Sequence, residues 1–262
     1  MILSEDQVKQ YGSDANLNAR IDLHRRFSTS PISWNRWLFE QMPMPKSTRV
    51  LELGAGTGLL WIENRDRLPD GLQLILSDNS QGMLSAAKAQ VAGLAGVEFR
   101  QIDAGHLPDV EQSFDVVIAN HMLYHVSDRA AVFSQVVRVL RPNGRFYAAT
   151  NGNAHMRELD DLIGPKAGAV QLSATLFGLE NGCEQLAPFF GSIEMARHQN
   201  PLAVTDVSAV SAYVRSMMLD LPGKEMARIE HSVRTIIATD GAFRISRDSG
   251  IFICAKPRRA AS

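Results

Sequence analysis

Three glycines stand at alternate positions in Gly54-Ala55-Gly56-Thr57-Gly58, directly after the short run Val50 to Leu53, whose single acid is Glu52. Glycine opens backbone angles closed to other residues and removes the Cβ atoms that would hold a ligand off the chain. A ligand is therefore expected against this turn. A dinucleotide site spaces its glycines G-x-G-x-x-G and seats a pyrophosphate on the following helix. Here the third glycine comes one residue early and Leu59 occupies the dinucleotide position. Glu52, leading into the loop, would serve an ammonium group well and a diphosphate badly. Twenty residues beyond Gly58, Asp78 closes the next apolar run, where a carboxylate can accept hydrogen bonds from two ribose hydroxyls. Nicotinamide and adenosyl ligands share that feature, so the choice between them rests on Glu52 and the glycine spacing, and both favour a ligand that is cationic near the loop.

These residues need a scaffold that brings strand ends together. Short apolar runs at 48–53, 72–77, 97–102, 114–119 and 145–149 read as strands, and helical spacing fills the intervals between them. Ser80 is placed to cap a helix with Met83, Leu84, Ala87, Val91 and Leu94 on one face. Asp128 is placed to cap another, with Val132, Phe133, Val136, Val137 and Leu140 inward, ending at Pro142-Asn143-Gly144. Strands apolar on both faces, separated by amphipathic helices, require a parallel sheet covered on both sides. The expected fold is α/β, a doubly wound, mostly parallel Rossmann-like sheet. Ligands bind such sheets at the carboxyl ends of the strands.

The motifs resemble those of the class I S-adenosylmethionine-dependent methyltransferases, in the small-molecule branch called methyltransferase type 11. ELGAGTG is similar to the first motif, SDNSQGML to the second and QIDAGHLP to the third. FDVVIANHMLYHV and RVLRPNGRFYAAT follow as the fourth and fifth, in order and spacing. The resemblance covers roughly residues 45–150. It implies S-adenosyl-L-methionine as cofactor, with Glu52 near the methionine amino group and Gly54, Ala55, Gly56 and Gly58 under the methionine and ribose. It further implies Asp78 and Asn79 at the ribose, Met83 against the adenine, Asp103 and Ala104 at the adenine amino edge, and Asn120 near the sulfonium. At helical spacing with Leu84 and Ala87, Met83 also reads as a core residue. Asp103 also reads as a turn cap.

Methyl transfer from a sulfonium is a direct displacement, in which the protein aligns the acceptor and removes its proton when it has one. Histidine suits that proton transfer. His125 and, after it, His121 follow the fourth strand and are the candidate bases, and each also reads as a residue making an ordinary structural hydrogen bond. Tyr124 and His155 are candidate acceptor contacts. The family carries no universal base, so the resemblance assigns none. A nicotinamide-dependent NAD(P) oxidoreductase on the same architecture and a catalytically silent adenosyl-ligand-binding module are the alternatives.

Charge is balanced, with 27 basic and 28 acidic residues in 262, which provides no basic field for nucleic acid. NHMLYH after the fourth strand also differs from the N/D-P-P-Y/F motif of amino-group nucleic-acid enzymes. At 45% hydrophobic and 21% charged the chain has a globular composition. No apolar run reaches membrane-spanning length, and the acids in MILSEDQVK argue against a secretory signal. A cytoplasmic monomer or homodimer, without a membrane partner, is expected. Cys183 and Cys254, far apart and without a His pair, read as reduced thiols, so no metal is expected. By texture the chain divides into a helical N-terminal lid (1–45), the cofactor-binding core (46–150), a helical insert with one edge strand (151–240) and a C-terminal hairpin completing the sheet (241–262). Tyr11, Arg20, His24 and Phe27 are lid candidates. Leu172, Leu176, Phe177, Phe189, Phe190, Met217 and Met218 make the insert apolar, which suits core packing and a partly apolar acceptor.

Overall fold

The computed structural model describes residues 14–164, 175–217, 219 and 221–258. They fall into two compact units, each assembled from three stretches of chain: the described residues of 34–152, 175–197 and 249–258, and those of 14–33, 153–164 and 198–248.

The larger unit is built on a seven-stranded sheet. Strands β1 (Arg49–Leu53), β2 (Gln73–Asp78), β3 (Val97–Gln101), β4 (Phe114–Asn120) and β5 (Leu140–Asn151) run parallel in the order β3-β2-β1-β4-β5. The remaining strands are β6 (Phe190–Gln199), β7 (Leu202–Val204), β8 (Phe243–Ile245) and β9 (Asp248–Pro257), of which β9 and β6 complete the sheet beyond β5. Each parallel strand is apolar on both faces because each face is covered. Leu51, Leu53 and Val117 enter one apolar cluster with Phe133, Phe146 and Phe252, whereas Val50, Leu76 and Ile118 enter the other with Leu38, Trp61 and Tyr147. The alternation of β1 thus sends Glu52 to the same side as Val50.

Helices α1 (Asp14–Phe27), α2 (Trp34–Glu40), α3 (Leu59–Ile62), α4 (Gln81–Gln90) and α5 (Arg129–Val139) precede α6 (Arg157–Ile163), α7 (Gly182–Leu186), α8 (Val207–Ser216) and α9 (Gly223–Asp240). Ser80 caps α4 by accepting from the Met83 N–H, and Asp128 caps α5 by accepting from that of Ala131. The whole expected inner face of the second, from Val132 to Leu140, is buried. The helix after the glycine loop is short: it stops at Ile62, and turns carry the chain from there to Pro69.

The C-terminal edge differs from a hairpin. β8 pairs with β7 in a separate two-stranded sheet, while β9 pairs antiparallel with β5 from Asn151↔Ser249 to Phe146↔Cys254. Asp248 to Gly250, in the middle of the expected hairpin, are strand, so the sheet edge consists of β9 and β6. Phe243 and Ile245 bury instead among Leu202, Val204, Val210 and Val233 in the apolar core of the smaller unit.

Residues 34–45 group with the sheet, whereas 14–33 group with the described residues of 198–248. Arg20, a lid candidate, donates to the Ser216 hydroxyl and carbonyl at 3.1 and 2.8 Å, and Phe27 is a core residue of the smaller unit. Tyr11, Leu172 and Met218 lie outside the described residues. Phe177 and Phe190 are core of the sheet unit and Met217 of the other, while Leu176 is exposed. Both cysteines are free thiols, and burial raises the pKa of Cys254. Among the described residues no helix is long and apolar enough to cross a membrane.

Candidate functional site

At the carboxyl end of β1 the chain turns through left-handed backbone at Gly54 (φ 64°), Gly56 (φ 56°) and Gly58 (φ 76°) before entering α3. Gly54 is required by packing as well, since a Cβ there would stand 2.7 Å from the Met122 Cβ. Gly56 is different: a Cβ built on it meets no atom within 4 Å. Its backbone faces open space, as a surface for a closely approaching ligand must. The turn is fixed from below by Ala55 N–H donating to the Ser77 carbonyl (2.9 Å) and by Ser77 Oγ donating to the Glu52 carbonyl (2.7 Å).

Asp78, at the end of β2, ties the loop to the next element. One carboxylate oxygen accepts from Gly56 N–H at 3.0 Å and the other from Ser80 N–H at 2.8 Å. The following helix is capped by Ser80, not by Asp78. The Asn79 backbone also donates to this carboxylate. Burial raises the Asp78 pKa, and backbone hydrogen bonds oppose the rise. Next to it Asn79 is exposed and its carbonyl accepts from Gln101.

Glu52 is only 2% exposed and receives the Trp61 indole N–H at 2.5 Å. Burial pushes its pKa up to about 8, the indole bond works against that rise, and the Asp78 charge adds to it. Without a cation beside it, the carboxyl is mostly neutral at pH 7. Trp61 was not legible as a site residue, and its spacing of three from Gly58 on a buried helical face was the available signal.

Met83 is half-exposed and outside the apolar clusters, although Leu84 and Ala87 on the same helix are buried. It is therefore not the core residue its spacing suggested. At the end of β3, Asp103 accepts from Gly105 N–H at 2.9 Å, the turn-capping geometry, and Ala104 is buried beside it. Asn120 ends β4, and its side-chain oxygen is buried with no hydrogen-bond partner among the described residues. A buried acceptor of this kind is costly unless something else donates to it.

Beyond Asn120, His121 adopts φ 53°, a sparsely populated backbone region for a non-glycine residue, and its N–H donates to the Ala149 carbonyl at 3.0 Å. Aromatic rings gather there. Trp34 and His121 centroids are 5.3 Å apart, His121 and Tyr124 6.4 Å, and Tyr124 and His125 4.5 Å, while Trp37 stacks on Trp34 at 5.2 Å. The structure thus brings His121, Tyr124 and His125 together and adds Trp34, whose role is set by packing and not by any motif. His155 belongs to the smaller unit, where its Nδ1 accepts from Asp248 N–H at 3.3 Å. Among the described residues no cluster of His, Cys, Asp or Glu could hold a metal ion.

Comparison with known proteins adds to this geometry. Residues 45–186 match the family described as "Methyltransferase domain", more than half of the chain. A ubiquinone/menaquinone biosynthesis C-methyltransferase of Desulfotalea psychrophila is 33% identical over 112 residues, 43% of this chain and 45% of that protein. A demethylmenaquinone methyltransferase of Beutenbergia cavernae is 35% identical over 116 residues, 44% of this chain and 46% of its own length. The matched region therefore spans less than half of these relatives. The phosphoethanolamine N-methyltransferase 2 of Haemonchus contortus, solved with phosphomonomethylethanolamine and S-adenosylhomocysteine, shares the fold with a TM-score of 0.63 at 17% identity. That alignment covers 98% of this chain and 61% of the other. With the glycine loop, Asp78 and the ordered motifs in place, the chain belongs to the methyltransferase-domain family, of the class I S-adenosylmethionine-dependent kind.

Proposed function

We propose that the protein transfers a methyl group from S-adenosyl-L-methionine to a small-molecule acceptor, at oxygen, nitrogen or carbon, by direct displacement. The open face of Gly56 carries this reading: left-handed backbone with no atom where a side chain would stand, bonded to Asp78 and backed by the buried acid Glu52. The unpartnered Asn120 oxygen fits the same ligand, because a polar or cationic group nearby would satisfy it.

When bound, the cofactor supplies the methyl group on a sulfonium leaving group. In this reading the chain binds and orients. Gly54, Ala55, Gly56 and Gly58 support the methionine and ribose, Glu52 favours the ammonium end, and Asp78 and Asn79 hold the ribose. Met83, Asp103 and Ala104 border the adenine, and Asn120 stands toward the sulfonium. His125 or His121 takes the acceptor's proton where it has one, and Tyr124 contacts the acceptor. The reading extends to a cytoplasmic monomer or homodimer with neither nucleic-acid nor membrane partners.

Thermal melting with S-adenosylmethionine, S-adenosylhomocysteine, NAD and NADP tests the cofactor. A ligand at a hundred times its dissociation constant adds about 2.7 kcal/mol, several degrees in midpoint. Stabilisation by the adenosyl ligands is expected, and stabilisation by NAD or NADP alone would refute the reading. Release of S-adenosylhomocysteine with a panel of small acceptors tests turnover, and tight binding without transfer would identify a silent binding module.

A further inference from the structure

The glycine motif ends before Trp61, yet the Trp61 indole meets the buried acid that leads into it. Trp61 lies one helical turn past Gly58, and its backbone N–H donates to the Gly58 carbonyl at 3.1 Å. That turn brings the indole back to β1, where its Nε1–H donates to Glu52 Oε2 at 2.5 Å and the ring is fully buried. Phe39 of α2 meets the ring edge-on with centroids 6.3 Å apart. Asn64 Nδ2 fixes α2 to this turn, donating to the Asn35 carbonyl at 3.1 Å and to the Leu60 carbonyl at 2.7 Å. The indole is therefore a clamped donor.

An indole can donate but not accept. Oε2 must then accept in both protonation states of Glu52, and the proton of the neutral acid is confined to Oε1. The bond is stronger to the carboxylate than to the neutral acid, because charge assistance strengthens it. Trp61 thus works against burial, which pushes the carboxyl up to about 8. The surrounding groups do not help it. Asp78 on β2 acts through its charge and raises the Glu52 pKa further, and among the described residues no cation acts on the acid. The sheet neighbours Leu76 and Ile118 are apolar, and Tyr147, in the same cluster, is held neutral by burial. On α2, Arg36 pairs with Asp66 and Glu40 with Arg67, while Glu63, beyond the indole on the chain, accepts from Asn35 Nδ2. Resting on the adenosyl-ligand reading above, we propose that Trp61 is a positioning residue for the cofactor's amino-acid end: the indole holds Glu52 by Oε2 and commits Oε1 to the ligand, whose arriving ammonium group displaces the Oε1 proton to solvent.

Calorimetric titration of the full chain with S-adenosylhomocysteine, which carries the same ammonium group, tests this between pH 6.5 and pH 9 in wild type and Trp61→Phe. The ratio of the two dissociation constants at each pH cancels the titration of the ligand's own amine. Phenylalanine keeps an aromatic ring but removes the donor, so the free variant releases the Oε1 proton at higher pH than wild type. It should bind about tenfold more weakly at pH 6.5, where binding must ionise the acid. The deficit should shrink severalfold by pH 9, where the wild-type acid is already ionised. In a Glu52→Gln background the same substitution should have a much smaller effect, since the two groups act as one unit. Should Trp61→Phe not fold, the indole N–H resonances of wild type decide the matter. One of the three tryptophans should titrate with a midpoint near pH 8 in the free protein and lose that titration in saturating S-adenosylhomocysteine. A dissociation-constant ratio that stays level with pH, or an indole titration that the ligand leaves in place, overturns the proposal alone. Wild type that does not bind S-adenosylhomocysteine overturns the adenosyl-ligand reading and this inference with it.

Discussion

Glu52→Gln separates what the buried acid costs the fold from what it does for a ligand. In the folded chain the carboxyl is pushed up to about 8 by burial, from an ordinary 4.5. The unfolded chain releases this proton near pH 4.5, whereas the folded chain retains it until about pH 8. Stability is therefore full below pH 4.5, falls as pH rises through the window, and levels off above pH 8. At 1.36 kcal/mol per pH unit, the loss between pH 4.5 and 7 is about 3 kcal/mol. Glutamine does not titrate, and its carbonyl still accepts the Trp61 indole N–H. Urea melts at pH 5, 6, 7 and 8 should thus show wild type losing stability relative to Glu52→Gln by between about 2 and 3 kcal/mol from pH 5 to neutrality. In the variant the contribution of this site should be flat. The ligand term has the opposite sign. A cation near Glu52 favours its ionised form, so S-adenosylmethionine binding to wild type near pH 7 should release protons. Calorimetry in buffers of different ionisation enthalpy measures that release, and Glu52→Gln should bind more weakly without it. Parallel pH profiles of stability for the two proteins would refute the buried neutral carboxyl. Equal affinity and equal proton release would refute its role at the cation.

Gly56→Ala should fold with a cost of about 1 kcal/mol, the strain of a left-handed alanine, since its Cβ meets nothing, yet lose most of the adenosyl-ligand melting shift. Gly54→Ala should lose stability more severely, as strain is joined by a 2.7 Å approach to the Met122 Cβ; denaturant midpoints compare the two. Asp78→Ala removes the acceptor of the Gly56 and Ser80 N–H groups and should abolish the ligand shift, and retention of the shift would displace the site. His125→Ala should lower turnover by about 10²–10⁴ with cofactor affinity unchanged if the ring is the base, and an unaltered rate would leave it a structural role.

Much of this was legible because local and global demands coincide. The inner face of α5 buries as its spacing required, and Ser80 and Asp128 cap the helices they precede, since each choice is settled within one turn of chain. The glycine loop was legible for the same reason, its chemistry being local to β1 and its turn. What depends on distant chain was not. Glu52 reads as an acid facing a ligand, and only the folded layer of Trp61, Leu38 and Tyr147 shows it buried with an indole donor. Met83 shares the spacing of Leu84, but the position of α4 on the sheet decides which of the two is covered.

The C-terminal strands show the same limit most sharply. Two alternating runs around Arg247-Asp248-Ser249-Gly250 satisfy every local criterion for a hairpin. β5 continues to Asn151, however, and an unpaired parallel-sheet strand of that length leaves a ladder of backbone groups to be satisfied. Ser249 and Gly250 fill it, opposite Asn151 and Thr150, with the Ser249 hydroxyl donating to the Asn151 side chain at 2.7 Å. Once they are in the ladder, the two residues left between β8 and β9 belong to a crossing from one sheet to another, and Phe243 and Ile245 bury in a different core. Gly250 then has a reason unlike that of a turn: a Cβ would stand 2.6 Å from the Ala196 carbonyl oxygen and 3.0 Å from Leu179. The residue that looked like punctuation is there for close approach, a requirement set by chain more than fifty residues away in sequence.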